Sequence, residues 1–199
     1  MLILASASKA RLELLRSVGI SPDKIVHTNI DETPTKGEKP LDYVCRIARE
    51  KNNAIKKKSF EIVLSADTAV SLGRRILIKP SNKEEALSFL NLLSGRRHRV
   101  HTSVCIFSDQ KYYQKNVTTV LKMKRLSEEE KKSYLLSDEW KGKAGGYSIQ
   151  GAASYFFPFI SGSYSNVVGL PLTETIGLLS GLGFNIPNFL NRLKNWKMK

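Results

Sequence analysis

Residues Glu61–Pro80 read EIVLSADTAVSLGRRILIKP, and the rest of the chain is best understood from this stretch outward. The apolar run Ile62-Val63-Leu64 leads into Ser65-Ala66-Asp67-Thr68, and Ala69 to Leu72 carry it on to a turn at Gly73. A second run, Ile76-Leu77-Ile78, stops at Lys79-Pro80. The pattern predicts a β-hairpin that sends one carboxylate and one ammonium out of two mostly apolar strands. An aspartate at a strand end is most often a turn former or a helix cap. Asp67 acquires another meaning only if other segments bring matching groups to it.

Bulk properties limit what those segments can build. With 199 residues the chain can bury one sizeable core, or two lobes sharing a sheet. Its 41% apolar and 25% charged residues are those of a folded globular protein. No apolar run approaches the ~20 residues of a membrane span, so no membrane partner is expected. The opening MLILA has no basic region or cleavage site before it, which predicts a cytoplasmic protein. Cys45 and Cys105 lie far apart, outside any CxxC, and read as reduced thiols.

A net charge of +14, from 32 basic and 18 acidic residues, favours an anionic partner. The basic residues are scattered, as at Lys56-Lys57-Lys58, Arg96-Arg97 and Lys131-Lys132. A nucleotide therefore satisfies the charge as well as a polymer does, and no stable nucleic-acid partner is expected. The alternative is a basic nucleic-acid-binding or division-regulatory protein without catalysis.

Upstream of the hairpin, Leu2-Ile3-Leu4 predicts a buried strand, and Ala5-Ser6-Ala7-Ser8 a loop of small residues. Lys9 to Val18 has helical spacing, with Ser8 as N-cap and Gly19 as the stop. Lys9 and Arg11 put the wrong sign at the positive end of that helix, unless an anion sits among them or both extend into water. Glu32, beside Asp31 ahead of Pro34, could ligate a hard cation or sit in a solvated turn. Pro40 suits a helix N1 position, and Val44, Ala48, Lys51 and Ile55 form the stripe behind it, with Lys56-Lys57-Lys58 ending the helix. A lysine on a buried stripe either snorkels to water or meets an anion in a cleft.

Downstream, Ser81-Asn82-Lys83-Glu84 predicts a capping box for a helix ending at Gly95. Arg99–Phe107 and Asn116–Met123 alternate and form a second hairpin, joined through Asp109-Gln110-Lys111. His98 and His101 straddle a loop and a strand, a poor start for a zinc site. A second capping box opens at Ser127. Trp140–Gly151, WKGKAGGYSIQG, is a glycine-dense loop. Tyr155–Ile160 reads as an edge strand interrupted by Pro158, Ser161–Asn166 as a polar loop, and Pro171 as a helix start. A short helix from Pro187 would follow. No linker divides the chain, so residues 1–199 form a single domain.

Neither GxxxxGK[ST] nor GxGxxG is present. The chemistry-bearing groups are dispersed: Ser6, Ser8 and Arg11; Glu32; Lys51; Asp67 and Lys79; Gln150. In this order they resemble the Maf family of nucleoside triphosphate pyrophosphatases. LILASASKARLELL at Leu2–Leu15 is similar to the family's opening block. The A-D-T-x-V block stands at Ala66–Val70, with its K-P at Lys79-Pro80. S-G-x-x-H-x-V-x-T stands at Ser94–Thr102, K-A-G-x-Y-x-I-Q-G at Lys143–Gly151, and G-x-Y-x-x-V-x-G-L-P at Gly162–Pro171.

The resemblance implies an α/β fold, with an elongated mixed sheet, flanking helices and two lobes around a central cleft, commonly as a homodimer. It implies cleavage of a nucleoside triphosphate into monophosphate and pyrophosphate with a divalent cation, Mg²⁺ or Mn²⁺. Such enzymes clean nucleotide pools, and a link to cell-division arrest is proposed for the family. Carried over, Asp67 is the general base, Arg11, Lys51 and Lys79 bind phosphates, Glu32 lies near the metal and Ser8 near the phosphates. Thr68 and Gln150 match positions tied to base choice, and the pair resembles the dTTP/UTP branch. Lys9-Ala10 departs from the family's Pro-Arg, at a position also tied to specificity.

Overall fold

The computed structural model describes residues 1–186. Strand β1 (Leu2–Ala5) pairs parallel with β2 (Lys24–Val26) on one edge and β3 (Ile62–Leu72) on the other. It is buried along its length because Leu2 and Leu4 pack into one apolar cluster while Ile3 and Ala5 pack into another on the opposite face. Across the first turn, β3 pairs antiparallel with β4 (Arg75–Leu77). Its other edge pairs antiparallel with β5 (Arg97–Ser108), which pairs with β6 (Lys111–Lys122), and β6 with the edge strand β7 (Phe159–Ser161). The result is a mixed seven-stranded sheet. Six helices complete an α/β fold among the described residues: α1 (Lys9–Ser17), α2 (Pro40–Asn53), α3 (Lys83–Leu93), α4 (Glu128–Leu136), α5 (Tyr164–Val168) and α6 (Leu172–Gly181).

The two largest of four apolar clusters among the described residues flank the middle of this sheet. One gathers Leu2, Leu4, Leu15, Leu64, Val104, Ile106 and Leu179 around β1, α1 and α6. The other gathers Val70, Leu77, Leu90, Leu93, Val100, Trp140, Tyr147 and Phe156 around β4, α3 and α4. The long strands β3 and β5 run through both, so the lobes share one sheet. On one edge, β3 is covered by β1 over Ile62 to Ser65 and by β4 over Val70 to Leu72. No described strand covers residues 66–69 there, and this gap holds Asp67 and Thr68.

Several local expectations give way to tertiary packing. Asp67 sits within one continuous strand, not at a strand end, because β5 pairs with β3 from Val63 through Ser71. Helix α2 ends at Asn53 and leaves Lys56-Lys57-Lys58 beyond it, since the chain turns to bury Ile55 against Ile3 and Val63. The cap of α3 is Asn82, accepting from the Glu85 amide at 2.8 Å, one residue later than the expected box. The box at Ser127 and Glu130 forms as expected.

His98 and His101 both lie in β5. Three positions apart on a strand, they face opposite sides and cannot share an ion. Residues Ala152–Phe156 form a 3-10 turn, so the strand expected from Tyr155 starts only at Phe159, after Pro158. The polar loop from Ser161 contains α5, capped by Ser163. The helix expected from Pro187 lies outside the described residues.

Candidate active site

A cleft of about 520 Å³ opens over the uncovered edge of β3, the size of a small-ligand site. Ser8, Arg11, Glu32, Lys51, Asp67, Thr68, Lys79 and Gln150 all line it. They arrive from α1 and its cap, the loop before α2, α2 itself, β3, the segment after β4 and the glycine-rich loop. Successive strand residues point to opposite faces, so Asp67 meets α2 while Thr68 meets α1 and α5. The gap lets both reach one cavity.

Asp67 is only 4% exposed. Its Oδ1 receives Lys51 Nζ at 2.7 Å, while Oδ2 is buried with no hydrogen-bond partner among the described residues. Burial pushes its carboxyl above the ordinary aspartate range, against the pull of the Lys51 and Arg11 charges. Lys51 also meets Glu32 Oε1 at 2.7 Å, and Lys79 meets Glu32 Oε2 at 2.8 Å. Half-burial works against the charged form of Glu32, yet the two ammoniums outweigh it and hold its carboxyl down at about 2.

The reach of Lys51 is fixed by its neighbours. Val44, Ile47, Ala48 and Lys51 share the buried stripe of α2. Next to Lys51, the fully buried Asn52 donates through Nδ2 to Val63 O at 2.8 Å and Cys105 O at 3.2 Å. Ser65 Oγ donates to Ala48 O at 2.7 Å. The last turn of α2 is thereby fastened to β3 and β5.

Arg11 does not extend into water from the first turn of α1. It is buried, and it donates from Nε to Gly169 O at 2.7 Å, from Nη1 to Ser6 Oγ at 3.1 Å and from Nη2 to Thr68 Oγ1 at 3.1 Å. A guanidinium has five N–H donors, so two are left that no described residue takes. Burial lowers the guanidinium's pKa, opposed by Asp67 and Glu32. Ser8 accepts from the Arg11 amide and caps α1.

Gln150 is exposed at the rim. Its loop is seated by Gly145, whose amide donates to Ile78 O at 3.2 Å and whose φ is +69°. A Cβ there would lie 2.8 Å from Val70 Cγ2, so only glycine permits the approach. Tyr147 forms part of the wall, its hydroxyl 2.8 Å from the buried His98 Nε2. Thr28 and Lys143 also line the cleft without having been singled out from the sequence. Lys143 was signalled by the glycine-rich stretch around it, whereas Thr28 had no such signal.

Two carboxylates converge here, one with an orphaned buried oxygen. That donor set suits Mg²⁺ or Mn²⁺, which takes one or two carboxylates and completes its shell with phosphate oxygens and water. Among the described residues no group of three or more His, Cys, Asp and Glu side chains could hold an ion. Any such ion would depend on its ligand for the remaining contacts.

A family model described as Maf-like protein matches residues 1–182. A relative in Roseobacter denitrificans (strain ATCC 33942 / OCh 114), named dTTP/UTP pyrophosphatase, is 51% identical over 184 residues, covering 92% of this chain and 98% of that protein. One of the same name in Wolbachia pipientis wMel is 51% identical over 189 residues, covering 93% and 96%. Among solved structures, the Staphylococcus aureus Ham1 protein aligns at a TM-score of 0.42 and 14% identity, over 61% of this chain and 71% of that one.

Proposed function

The chain belongs to the Maf-like protein family, and on that premise we propose that it is a dTTP/UTP pyrophosphatase. The reaction splits the bond between the α and β phosphates and yields a nucleoside monophosphate and pyrophosphate. The observation that supports it best is the orphaned Oδ2 of Asp67, buried in a cleft lined by Arg11, Lys51 and Lys79.

In this mechanism Asp67 Oδ2 accepts a proton from a water molecule. The water oxygen bonds to the α-phosphorus as the bond to the bridging oxygen breaks, and that electron pair leaves with pyrophosphate. A carboxyl raised by burial is a stronger base than an ordinary aspartate. Lys51, Lys79 and the two uncommitted N–H groups of Arg11 meet the negative charge of the leaving group. Glu32 and Asp67 would hold a Mg²⁺ or Mn²⁺ ion, which when bound neutralises phosphate charge and acidifies water. Gln150 and Thr68, which both line the cleft, are the positions proposed for base choice.

The test is a pyrophosphate-release screen over normal and modified triphosphates, with Mg²⁺, Mn²⁺ or chelator. The expected result is turnover favouring dTTP and UTP and lost in chelator. Asp67→Asn should keep its melting temperature within a few degrees and lose at least about 100-fold in kcat. Near wild-type hydrolysis by that variant would refute the assignment of the base.

A further inference from the structure

Thr102 does not line the cleft; it is fully buried in β5, directly opposite Thr68 in the β3–β5 register. Its Oγ1 lies 2.9 Å from Asn166 O and 3.0 Å from Thr68 Oγ1. A carbonyl cannot donate, so the single Thr102 proton goes to Asn166 O. The short contact between the two threonine oxygens then requires Thr68 to donate to Thr102. The other possible acceptor for Thr68, Gly169 O, is more distant at 3.5 Å. With its proton committed, Thr68 turns a lone pair toward Arg11 Nη2. The acceptor at the end of the chain is itself fixed. Asn166 is fully buried and donates through Nδ2 to Val100 O at 3.1 Å and Thr119 Oγ1 at 2.9 Å.

We propose that Thr102 is a positioning residue for Arg11, acting through Thr68 to aim the guanidinium at the phosphates. The inference rests on the phosphate-binding role given to Arg11 above. It also defines what Thr68 can offer a ligand, which is a remaining lone pair and no proton. Any part Thr68 plays in base choice is therefore as an acceptor.

The test uses the full chain, with inorganic tripolyphosphate as a binding probe and dTTP as substrate. Thr102→Val, nearly isosteric, should weaken tripolyphosphate binding and raise KM about tenfold, with kcat within about twofold. Thr102→Ser should restore both, because it returns the hydroxyl. In an Arg11→Lys background, Thr102→Val should add little, since the planar donor it aims is gone. Thr68→Val removes the acceptor that Thr102 orients, and so tests the link to Arg11 at its nearer end should Thr102→Val fail to fold. An unchanged KM and tripolyphosphate affinity in the folded variant, or an equal loss in the Arg11→Lys background, overturns the inference while leaving the function intact. A wild type that neither binds nor cleaves triphosphates overturns both.

Discussion

Lys51 is buried and doubly ion-paired, whereas Lys56, five positions on, is exposed. If the buried ammonium serves the phosphates, Lys51→Ala should raise KM for the triphosphate at least about tenfold, while Lys56→Ala stays within about twofold. Steady-state kinetics on both variants decides, and equal effects would contradict the role given to the cleft lysine. The Asp67 carboxyl offers a direct readout, since carbon NMR of labelled aspartate follows its titration. Burial should place its pKa above the model-peptide value of about 3.9, and a lower value would mean that Lys51 and Arg11 outweigh burial. A carboxyl raised on folding favours the fold below its unfolded pKa, and that contribution is lost as pH rises through the folded value. Its ionised form at neutral pH therefore works against stability. Lys51 was legible in the sequence because a cation interrupted an apolar stripe. Thr102 and Asn166 stood in recognisable motifs, but a hydroxyl and an amide carry no periodic signal of their partners.

At the scale of elements, the glycine-rich loop is held to the β3–β4 hairpin by backbone alone at Gly145. Gly145→Ala combines a left-handed φ with a 2.8 Å approach to Val70, and should cost about 2–3 kcal/mol in urea unfolding. It should also raise KM, because the same loop carries Lys143 and Gln150 into the cleft; unchanged stability would show that the loop can lift away. The first hairpin was legible from its apolar runs and the turn at Gly73, the second from alternation. The connection in the second is tight, with Asp109 and Gln110 at φ +48° and +61°, as a two-residue turn matching strand twist requires. Element ends were less legible. The stop at Asn53 depends on Ile55 turning in against Ile3 and Val63, and the start of β7 on its pairing with β6. The gap along β3 was not legible, because it depends on how far β1 and β4 extend beside it.

For the whole molecule, the family resemblance carried the α/β class and the expectation of two lobes, while which side chains gather into each apolar cluster emerged only from packing. One buried group makes the lobe behind the glycine-rich loop acid-sensitive. His98 is 2% exposed, and burial pushes its imidazole down to about 4. Below about 6.5 the unfolded chain binds a proton that the folded one refuses, so stability should fall between about pH 6.5 and 4 by about 3 kcal/mol. Urea unfolding across that range measures the slope, and His98→Leu should flatten it. An unchanged slope in the variant would place the sensitivity elsewhere. Glu32, held at about 2, withdraws its contribution only below about pH 4.5, in a window that meets the His98 one only at its acid end.

The bond from Arg11 Nε to Gly169 O joins residues 158 positions apart. At roughly 5–20 residues per second, a ribosome adds Gly169 roughly 8–30 s after Arg11. Until then the guanidinium lacks its innermost acceptor, and α5 is not there to receive the Thr102 proton. The residues of β1, α2 and β3, Lys51 and Asp67 among them, are all synthesised well before that moment. The centre proposed to bind phosphates, however, is completed only once Gly169 and α5 have been added, so a chain that stalls before them should lack it.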